Sequence, residues 1–415
     1  MKTLFKNIQS LLLVEEEPTR WVAGSDMRTL PHLNDAWLLV EGDKIDSFGG
    51  MDTAPNAADE VIDCTGKVVM PAWCDSHTHL VYAGSREGEF VDKINGLSYE
   101  EIAKRGGGIL NSAQRLRDTP EDELYEQSAR RMGEIITMGT GAVEIKSGYG
   151  LTTESELKML RVARRLQKEF PLAVKTTFLG AHAFPAEYRE NREAYVDLVM
   201  NEMVPAVAEE KLADYIDVFC DRGFFTPQQT ERILAAGAEY GLAPKIHANE
   251  LDFSGGIQAG VKYAARSVDH LECTGDAEID ALLSSETMST LLPSTAFFLG
   301  MEYPPARKMI DAGLPVALAS DYNPGSSPSG RMPFILSLAC IKMKMLPEEA
   351  IQAATLNGAY AMGLEATHGS ICPGKQANLI VTKNVNSYSF LPYAFGANWI
   401  ESTYVNGARL YHDLD

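Results

Sequence analysis

Positive charge, paired cysteines and long apolar runs are all scarce in this sequence. The 415 residues include 37 lysines and arginines against 57 aspartates and glutamates, which gives a formal net charge of −20. Nucleic acids and anionic membranes attract proteins through a positive field, so this balance argues against both as partners. No apolar run approaches the ~18 residues of a membrane-spanning helix. An anionic substrate would have to be held by a local cation, against the overall field.

Cysteine is sparse and has no regular spacing. The six cysteines contain no CxxC pair and no regular framework, which is typical of reduced thiols in a cytoplasmic protein. Near the N-terminus, the apolar run at 11–14 is shorter than the core of a secretion signal, and three glutamates at 15–17 follow it at once. These features predict a cytoplasmic location.

The middle of the chain alternates short apolar runs with longer amphipathic segments. This alternation is typical of successive strand–helix units, and eight such units over about 250 residues predict a (β/α)₈ barrel. The predicted strands lie at 68–74, 142–146, 173–179, 215–220, 243–246, 265–268, 288–292 and 315–319. Residues 66–365 are therefore expected to form an α/β domain of the TIM-barrel type.

The two ends of the chain carry short strand-like segments separated by turn residues. They lie at 36–40, 44–48, 60–63, 378–382, 399–405 and 408–411. The sequences at 41–43 and 405–408 are hairpin signals. Neither end has enough apolar sequence to form a core alone, so residues 1–65 and 366–415 are predicted to combine into one small β-sandwich domain. A helix over 346–362 would return the chain to that domain.

Five of the eight histidines fall at the predicted ends of barrel strands. His77 and His79 follow the first strand, and residues i and i+2 of a strand point to the same side. His182, His247 and His270 follow the third, fifth and sixth strands. Because the catalytic groups of such barrels sit at the C-terminal ends of the strands, this distribution predicts a shared site.

Asp321 ends the eighth predicted strand and completes a set of metal ligands. Imidazole nitrogens and a carboxylate oxygen suit a divalent ion such as zinc, or iron as Fe²⁺ or Fe³⁺. The best quartet is His77, His79, His247 and Asp321. Such an ion makes a bound water more acidic. Glu250, three residues past His247, could hold or relay the proton of that water.

Several stretches of the barrel region resemble one known superfamily. They are CDSHTHLVYAGSREGEF (74–90), RGGGIL (105–110), EIKSGYGL (144–151), TFLGAHAFPAEY (177–188), KIHANE (245–250), SVDHLE (267–272), LLPSTAFFL (291–299) and ASDYNPGSSP (319–328). With a β-domain made from both termini, the chain resembles the amidohydrolase superfamily, and within it the imidazolonepropionase family. The resemblance implies hydrolysis of the cyclic amide 4-imidazolone-5-propanoate to N-formimidoyl-L-glutamate, a C–N bond cleavage in histidine degradation.

The resemblance also implies roles for particular residues. The four ligands above would hold the metal, and His270 and Asp321 would join Glu250 in catalysis. Contacts to the substrate or product would come from Arg86, Tyr149, His182, Glu250, Asn323, Gly325 and Ser326, with Tyr99 as a further contact for the carboxylate. Dinuclear superfamily members carry a bridging lysine at the end of the fourth strand. None stands near Cys220, so a single metal ion is implied, and family resemblance implies a homodimer.

Some positions near the site have a structural interpretation as well as a functional one. Arg86 offers a bidentate fork suited to a carboxylate tail, but it could equally form a surface salt bridge with Glu87 or Glu89. The turn at 323–325 directly follows a metal ligand, so its backbone amides are expected to face the pocket. Lys146 is expected to form salt bridges behind the site rather than to act in catalysis.

Two other classes of function stay open. A cytosine or guanine deaminase would share the metal pattern, would release ammonia and would not need Arg86 to anchor a carboxylate. A non-catalytic barrel that serves as a regulator or scaffold would be expected to lack metal ligands, whereas all four are present here.

Overall fold

The computed structural model describes residues 1–97 and 107–413, and the strands in this part of the chain form two sheets of eight. One sheet gathers strands from both ends of the chain, and the other contains the middle strands alone. In chain order the strands are β1 (Lys2–Leu12), β2 (His32–Glu41), β3 (Lys44–Gly50), β4 (Glu60–Asp63), β5 (Val68–Pro71), β6 (Trp73–Thr78), β7 (Thr140–Lys146), β8 (Ala173–Ala181), β9 (Tyr215–Cys220), β10 (Ala243–Ala248), β11 (Ser267–His270), β12 (Met288–Leu291), β13 (Val316–Leu318), β14 (Leu379–Thr382), β15 (Ile400–Val405) and β16 (Ala408–His412).

Strands β6 to β13 form a parallel barrel in chain order, as predicted. Two backbone hydrogen bonds join the last strand to the first at their C-terminal ends. The amide of Asp321 donates to the carbonyl of His77 at 3.0 Å, and the amide of His79 donates to the carbonyl of Tyr322 at 2.9 Å. The seam of the barrel therefore runs through three of the four predicted metal ligands.

Helices cover the outside of the barrel and connect its strands. They span Glu87–Ile94, Ile109–Asp118, Glu121–Thr137, Thr153–Glu169, Arg192–Leu198, Val204–Glu209, Pro227–Glu239, Gly256–Lys262, Asp276–Leu283, Pro293–Leu299, Ala306–Asp311, Met332–Met343, Pro347–Ala354, Leu356–Ala361 and Phe390–Tyr393. A π-helical turn at Val199–Met203 links two of them, and short 3₁₀ helices lie at Gly24–Arg28, Met51–Thr53 and Ala186–Tyr188. None of the described helices is both long and apolar enough to cross a membrane.

The local sequence explains where such a helix begins and which face it buries. In the helix Thr153–Glu169, the preceding Thr152 accepts a hydrogen bond from the amide of Ser155 and so caps the N-terminus. Leu160, Ala163 and other residues three or four positions apart are buried on one face. That face packs against β8.

The second sheet joins the two ends of the chain around one core. Its order is β16-β15-β14-β5-β1-β2-β3, and β4 pairs with β1 beside β5. Phe5 of β1 and Tyr404 of β15 share the core of this sheet, with ring centroids 5.1 Å apart in an edge-to-face arrangement. The predicted small β-domain from both termini is confirmed, and its strands belong to one connected sheet.

Two predicted elements differ from the structure, and one strand of the structure was not predicted. The apolar run 68–74 is two strands, because Val68–Pro71 pairs with β1 and β14 of the terminal sheet and only Trp73 onward enters the barrel. Strand β1 has no counterpart among the predicted strands. The predicted helix 346–362 is broken at Thr355, whose φ and ψ are −122° and −84°. After that break, a Cβ at Gly358 would collide with the carbonyl of Cys74, so glycine allows close packing on β6.

All six cysteines are free thiols. This agrees with the absence of any regular spacing among them in the sequence.

Candidate metal centre and substrate pocket

Four buried side chains converge at the C-terminal end of the barrel. Ligand nitrogens of His77, His79 and His247 all lie within 4.8 Å of one another. The two Nε2 atoms of His79 and His247 are 3.4 Å apart. Oδ1 of Asp321 lies 3.6 Å from Nε2 of His77 and 3.6 Å from Nε2 of His79. The four predicted ligands therefore surround one point.

The donor atoms at this point fit a divalent cation. Nε2 of His77 is buried and has no hydrogen-bond partner, which is costly unless another group satisfies it. Burial lowers the pKa of His77 and His79 well below the usual range, and neighbouring cationic groups lower it further, so both imidazoles are neutral and can donate lone pairs. Three imidazoles and one carboxylate form a ligand set that zinc and iron both accept.

A second layer of polar groups fixes the direction of three of the four predicted ligands. Nδ1 of His77 donates to Oδ2 of Asp269 at 2.6 Å, and Nδ1 of His247 lies 3.0 Å from Oδ2 of Asp217. The hydroxyl of Thr295 donates to Oδ2 of Asp321 at 2.6 Å. These contacts leave Nε2 of His77 and His247 and Oδ1 of Asp321 directed at the metal point.

The backbone is strained at two residues of the centre. His270 has a φ of +87° and Asp321 a φ of +51°. Non-glycine residues rarely adopt this left-handed region, and such conformations cluster at functional sites. His270 ends β11 and Asp321 follows β13. At both positions the unusual backbone conformation directs the side chain toward the barrel axis.

A cavity of about 330 Å³ opens above the metal point. Its wall brings together all the predicted contact residues that lie in the described part of the chain. These are Arg86, Tyr149, His182, Glu250, His270, Asn323, Gly325 and Ser326, together with the ligands His79, His247 and Asp321. Tyr99 lies outside the described residues.

Arg86 reaches this cavity and is also ion-paired. Its Nε and Nη2 atoms donate to Oε2 of Glu89 at 2.9 and 2.7 Å, and Glu87 takes no part. Oε1 of Glu89 accepts from the amide of Gly108 at 3.0 Å. The remaining Nη1 lies against Gly325, where a Cβ would collide with it. Arg86 therefore lines the cavity, as a substrate contact must, and also forms the salt bridge with Glu89.

The comparison with known proteins agrees with this geometry. A model of the amidohydrolase family matches residues 68–410, which is most of the chain. The chain belongs to the amidohydrolase family. Its relatives include imidazolonepropionases from Christiangramia forsetii and Flavobacterium johnsoniae, 59% and 58% identical over 408 residues, which is 98% of this chain and 99% of each relative. Within the amidohydrolases, the chain therefore belongs with the imidazolonepropionases.

Solved amidohydrolase structures share the fold at low sequence identity. E. coli guanine deaminase superposes with a TM-score of 0.75 at 17% identity, and the match covers 100% of this chain and 99% of that one. Identity at this level shows the common barrel and β-domain alone.

Glu250 and His270 of this amidohydrolase face each other across the cavity wall. Oε2 of Glu250 lies 3.7 Å from Nε2 of His270. Burial and the nearby carboxylates of Asp321 and Asp221 raise the pKa of Glu250 to about 8. Burial and His247 hold the pKa of His270 well below its usual range. Glu250 is therefore the group that can take up a proton here, and His270 is a neutral imidazole.

His182 and Tyr149 form a neutral wall beside the metal point. Nδ1 of His182 lies 3.0 Å from the carbonyl of Gly148, so Nδ1 carries the proton and Nε2 is an acceptor. Burial lowers the pKa of His182 to about 3, and burial raises that of Tyr149 above its usual range. His182 also stacks on His79, with ring centroids 5.1 Å apart. At neutral pH this wall offers an imidazole acceptor and a phenol donor.

The expectation that the amides of the 323–325 turn face the pocket is wrong. Oδ1 of Asn323 accepts both the amide of Gly325 at 2.7 Å and the amide of Ser326 at 2.8 Å. Nδ2 of Asn323 donates to the carbonyl of Asp321 at 2.7 Å. An asparagine that binds its own turn leaves those amides no free hydrogen. The turn therefore holds the ligand Asp321 in position, and the Ser326 side chain lines the cavity.

The sequence interpretation missed the residues behind the ligands. Asp217 and Asp269 lie within buried strands, where a lone carboxylate among apolar residues needs a partner. That misfit is the signal that could have identified them. Thr295 gave no comparable signal.

Lys146 joins the two carboxylates behind the centre, as the sequence predicted. Its ammonium group lies 2.8 Å from Oδ2 of Asp217, 3.5 Å from Oδ2 of Asp269 and 2.7 Å from Oε1 of Glu144. Lys245 also pairs with Glu144. All these side chains are fully buried, so the charges depend on one another rather than on water.

Replacing Lys146 with methionine is expected to weaken metal affinity about 10- to 100-fold, as is typical when the partners of metal ligands are lost. Without the ammonium group, Asp217 and Asp269 repel each other and turn away from the two histidines. Metal titration of the purified variant measures this. Lys158→Met is the matched control, because Lys158 donates to backbone carbonyls of residues 116, 117 and 119 outside the site. Wild-type affinity in a folded Lys146→Met protein would contradict the role assigned to Lys146.

Proposed function

We propose that this protein hydrolyses 4-imidazolone-5-propanoate to N-formimidoyl-L-glutamate. The observation that carries the proposal is one cavity that has a metal-ligand quartet at its floor and Arg86 at its wall. The substrate requires both, since it has a cyclic amide to be opened and a carboxylate tail to be held. Identity of 59% to an imidazolonepropionase over nearly the whole chain supports the same activity.

The cavity can orient the substrate through a small number of contacts. The guanidinium of Arg86 suits the propanoate carboxylate, since charge-assisted bonds to a planar fork fix direction as well as position. Tyr149 can donate from its phenol, and Nε2 of His182 can accept a ring N–H. Arg86 and the predicted ligands line the same cavity, so a substrate with its tail at Arg86 would extend its ring toward the metal point.

Glu250 and His270 have complementary parts in the hydrolysis. A single bound divalent ion, zinc or iron, supplies Lewis-acid chemistry at His77, His79, His247 and Asp321. Glu250 takes a proton from the attacking water and gives it to the ring nitrogen as the C–N bond breaks. The neutral imidazole of His270 donates a hydrogen bond to the carbonyl oxygen as negative charge develops there. Water adds to the carbonyl carbon, and the ring opens to a carboxylate.

Incubation with freshly generated 4-imidazolone-5-propanoate tests this function. We expect the ultraviolet absorbance of the ring to disappear without release of ammonia. Guanine and cytosine serve as parallel substrates, because a deaminase would act on one of them and release ammonia. Ammonia release, or no loss of absorbance with metal-loaded protein, would contradict the proposal.

We also propose a cytoplasmic homodimer with no nucleic acid or membrane partner. The surplus of acidic residues supports the absence of nucleic acid. The dimer depends on resemblance to the family and stays a prediction, which sedimentation of the purified protein would test.

A further inference from the structure

The ion pair between Arg86 and Glu89 leaves the anion-binding end of the cavity without net positive charge. Glu89 accepts both Nε and Nη2 of Arg86, so the guanidinium and carboxylate charges largely cancel at a distance. The whole chain carries a net charge of −20. A substrate carboxylate that approaches this end therefore needs another cation.

Lys93 is the cation in the correct place. It lies on the helix Glu87–Ile94, at positions i+4 from Glu89 and i+7 from Arg86, and residues at this spacing share one face of a helix. Lys93 lines the cavity above the metal centre and also a neighbouring cavity of about 260 Å³. Arg86 and Gly325 line both cavities as well, so Lys93 stands at the boundary between the two.

The ammonium group of Lys93 forms no ion pair with any described residue, and Glu89, which is paired with Arg86, acts on it only through longer-range electrostatics. Within residues 1–97 and 107–413 it has neither a hydrogen-bond nor an ion-pair partner, and its Nζ lies 5.9 Å from the ring centroid of Phe298. Partial burial and the nearby charge of Arg86 lower the pKa of Lys93. A carboxylate placed between two such cations would relieve their repulsion.

We infer that Lys93 is a specificity-determining residue, which with Arg86 forms a two-cation site for the carboxylate tail of the substrate. In this site Arg86, fixed by Glu89 and Gly325, sets the direction of the carboxylate. Lys93 supplies a second positive charge, which has no ion-pair partner among the described residues and draws the anion in. The inference rests on the proposed function, and it assigns Lys93 to substrate binding rather than to bond breaking.

The test compares Lys93→Met with wild type on two substrates. One is 4-imidazolone-5-propanoate, and the other is its neutral propanamide, which has the same ring and chain length. For the propanoate, we expect KM to rise about tenfold, equivalent to about 1.4 kcal/mol, with kcat changed less than about twofold because Lys93 is not at the reacting atoms. For the propanamide, we expect no change in KM. Lys93→Arg should restore most of the propanoate KM.

Lys342→Met is the matched control. Lys342 is exposed, and its Nζ also lies 5.9 Å from an aromatic ring, that of Tyr303, but it lines neither cavity. An unchanged propanoate KM in Lys93→Met, or an equal rise for both substrates, would overturn the inference and leave the proposed function standing. Absence of propanoate turnover by wild type would overturn both.

Discussion

Replacing Glu250 with glutamine is expected to lower kcat about 10²- to 10⁴-fold, the range typical of a lost general acid–base group. Glutamine keeps the size of the side chain but cannot take up the proton of the attacking water. The raised pKa of Glu250 places its carboxylate among the better proton acceptors of the cavity. Since the base form predominates only above that pKa, kcat/KM should fall toward acid pH in wild type, and this dependence on acid pH should vanish in the variant.

The control for this variant is Glu278→Gln. Glu250 and Glu278 are each 9% exposed, so the two substitutions replace a carboxyl group by an amide at equal burial. Glu278 caps the helix Asp276–Leu283 by accepting from the amide of Gly275 at 3.0 Å, away from the cavity. The Glu278→Gln variant should keep the wild-type kcat. Metal content is measured in both proteins, and near-normal turnover by Glu250→Gln with its metal intact would remove Glu250 from the mechanism.

Removing the divalent ion with a chelator is expected to abolish turnover and to lower the Tm by several degrees. The ligand atoms of His77, His79, His247 and Asp321 are buried and crowded at 3.4 to 3.6 Å. An ion that binds only the folded chain stabilises it by about 4 kcal/mol at 1,000 times its Kd. Calorimetry before and after dialysis measures the change in Tm.

Two histidine variants make the metal experiment specific. His77→Asn should have the low Tm from the start and should not respond to the chelator. His32→Asn replaces an exposed histidine in β2 and should behave as wild type. Re-addition of zinc and of ferrous iron to the chelated protein, with turnover as the readout, identifies the active ion. A wild-type Tm and rate that survive complete metal removal would contradict the metal centre.

The barrel could be predicted from sequence because the spacing of its apolar runs and the polar residues at their ends indicate the same strands. Strands such as Tyr215–Cys220 are apolar and end at polar residues, so both their position and direction could be inferred. The division of the run 68–74 between two sheets could not be predicted, because its residues are buried and apolar in both sheets. Strand β1 escaped prediction because its pairing with β2 is irregular between Phe5 and Ile8, with Asn7 at a φ of +56°.

The residues that could donate ligand atoms to a metal could be predicted from the sequence, but the hydrogen bonds around them could not. Spacing alone places His77 and His79 on one side of a strand. Spacing does not choose between Glu87 and Glu89 as the partner of Arg86, because both lie within one helical turn. Likewise, the direction of the backbone amides after Asp321 depends on the conformation of the Asn323 side chain. Several local hydrogen bonds of similar strength are open to that side chain, and the sequence does not choose between them.

The seam between β6 and β13 has a consequence for how the protein matures. The same residues that join the first and last barrel strands, His77, His79 and Asp321, are also three of the four proposed ligands of the ion. A nascent chain therefore carries its first two histidine ligands long before the ribosome delivers the aspartate. The proposed coordination sphere would be complete only once the eighth strand has docked beside the first. We therefore expect the protein to acquire its metal late in biogenesis, after the barrel has closed.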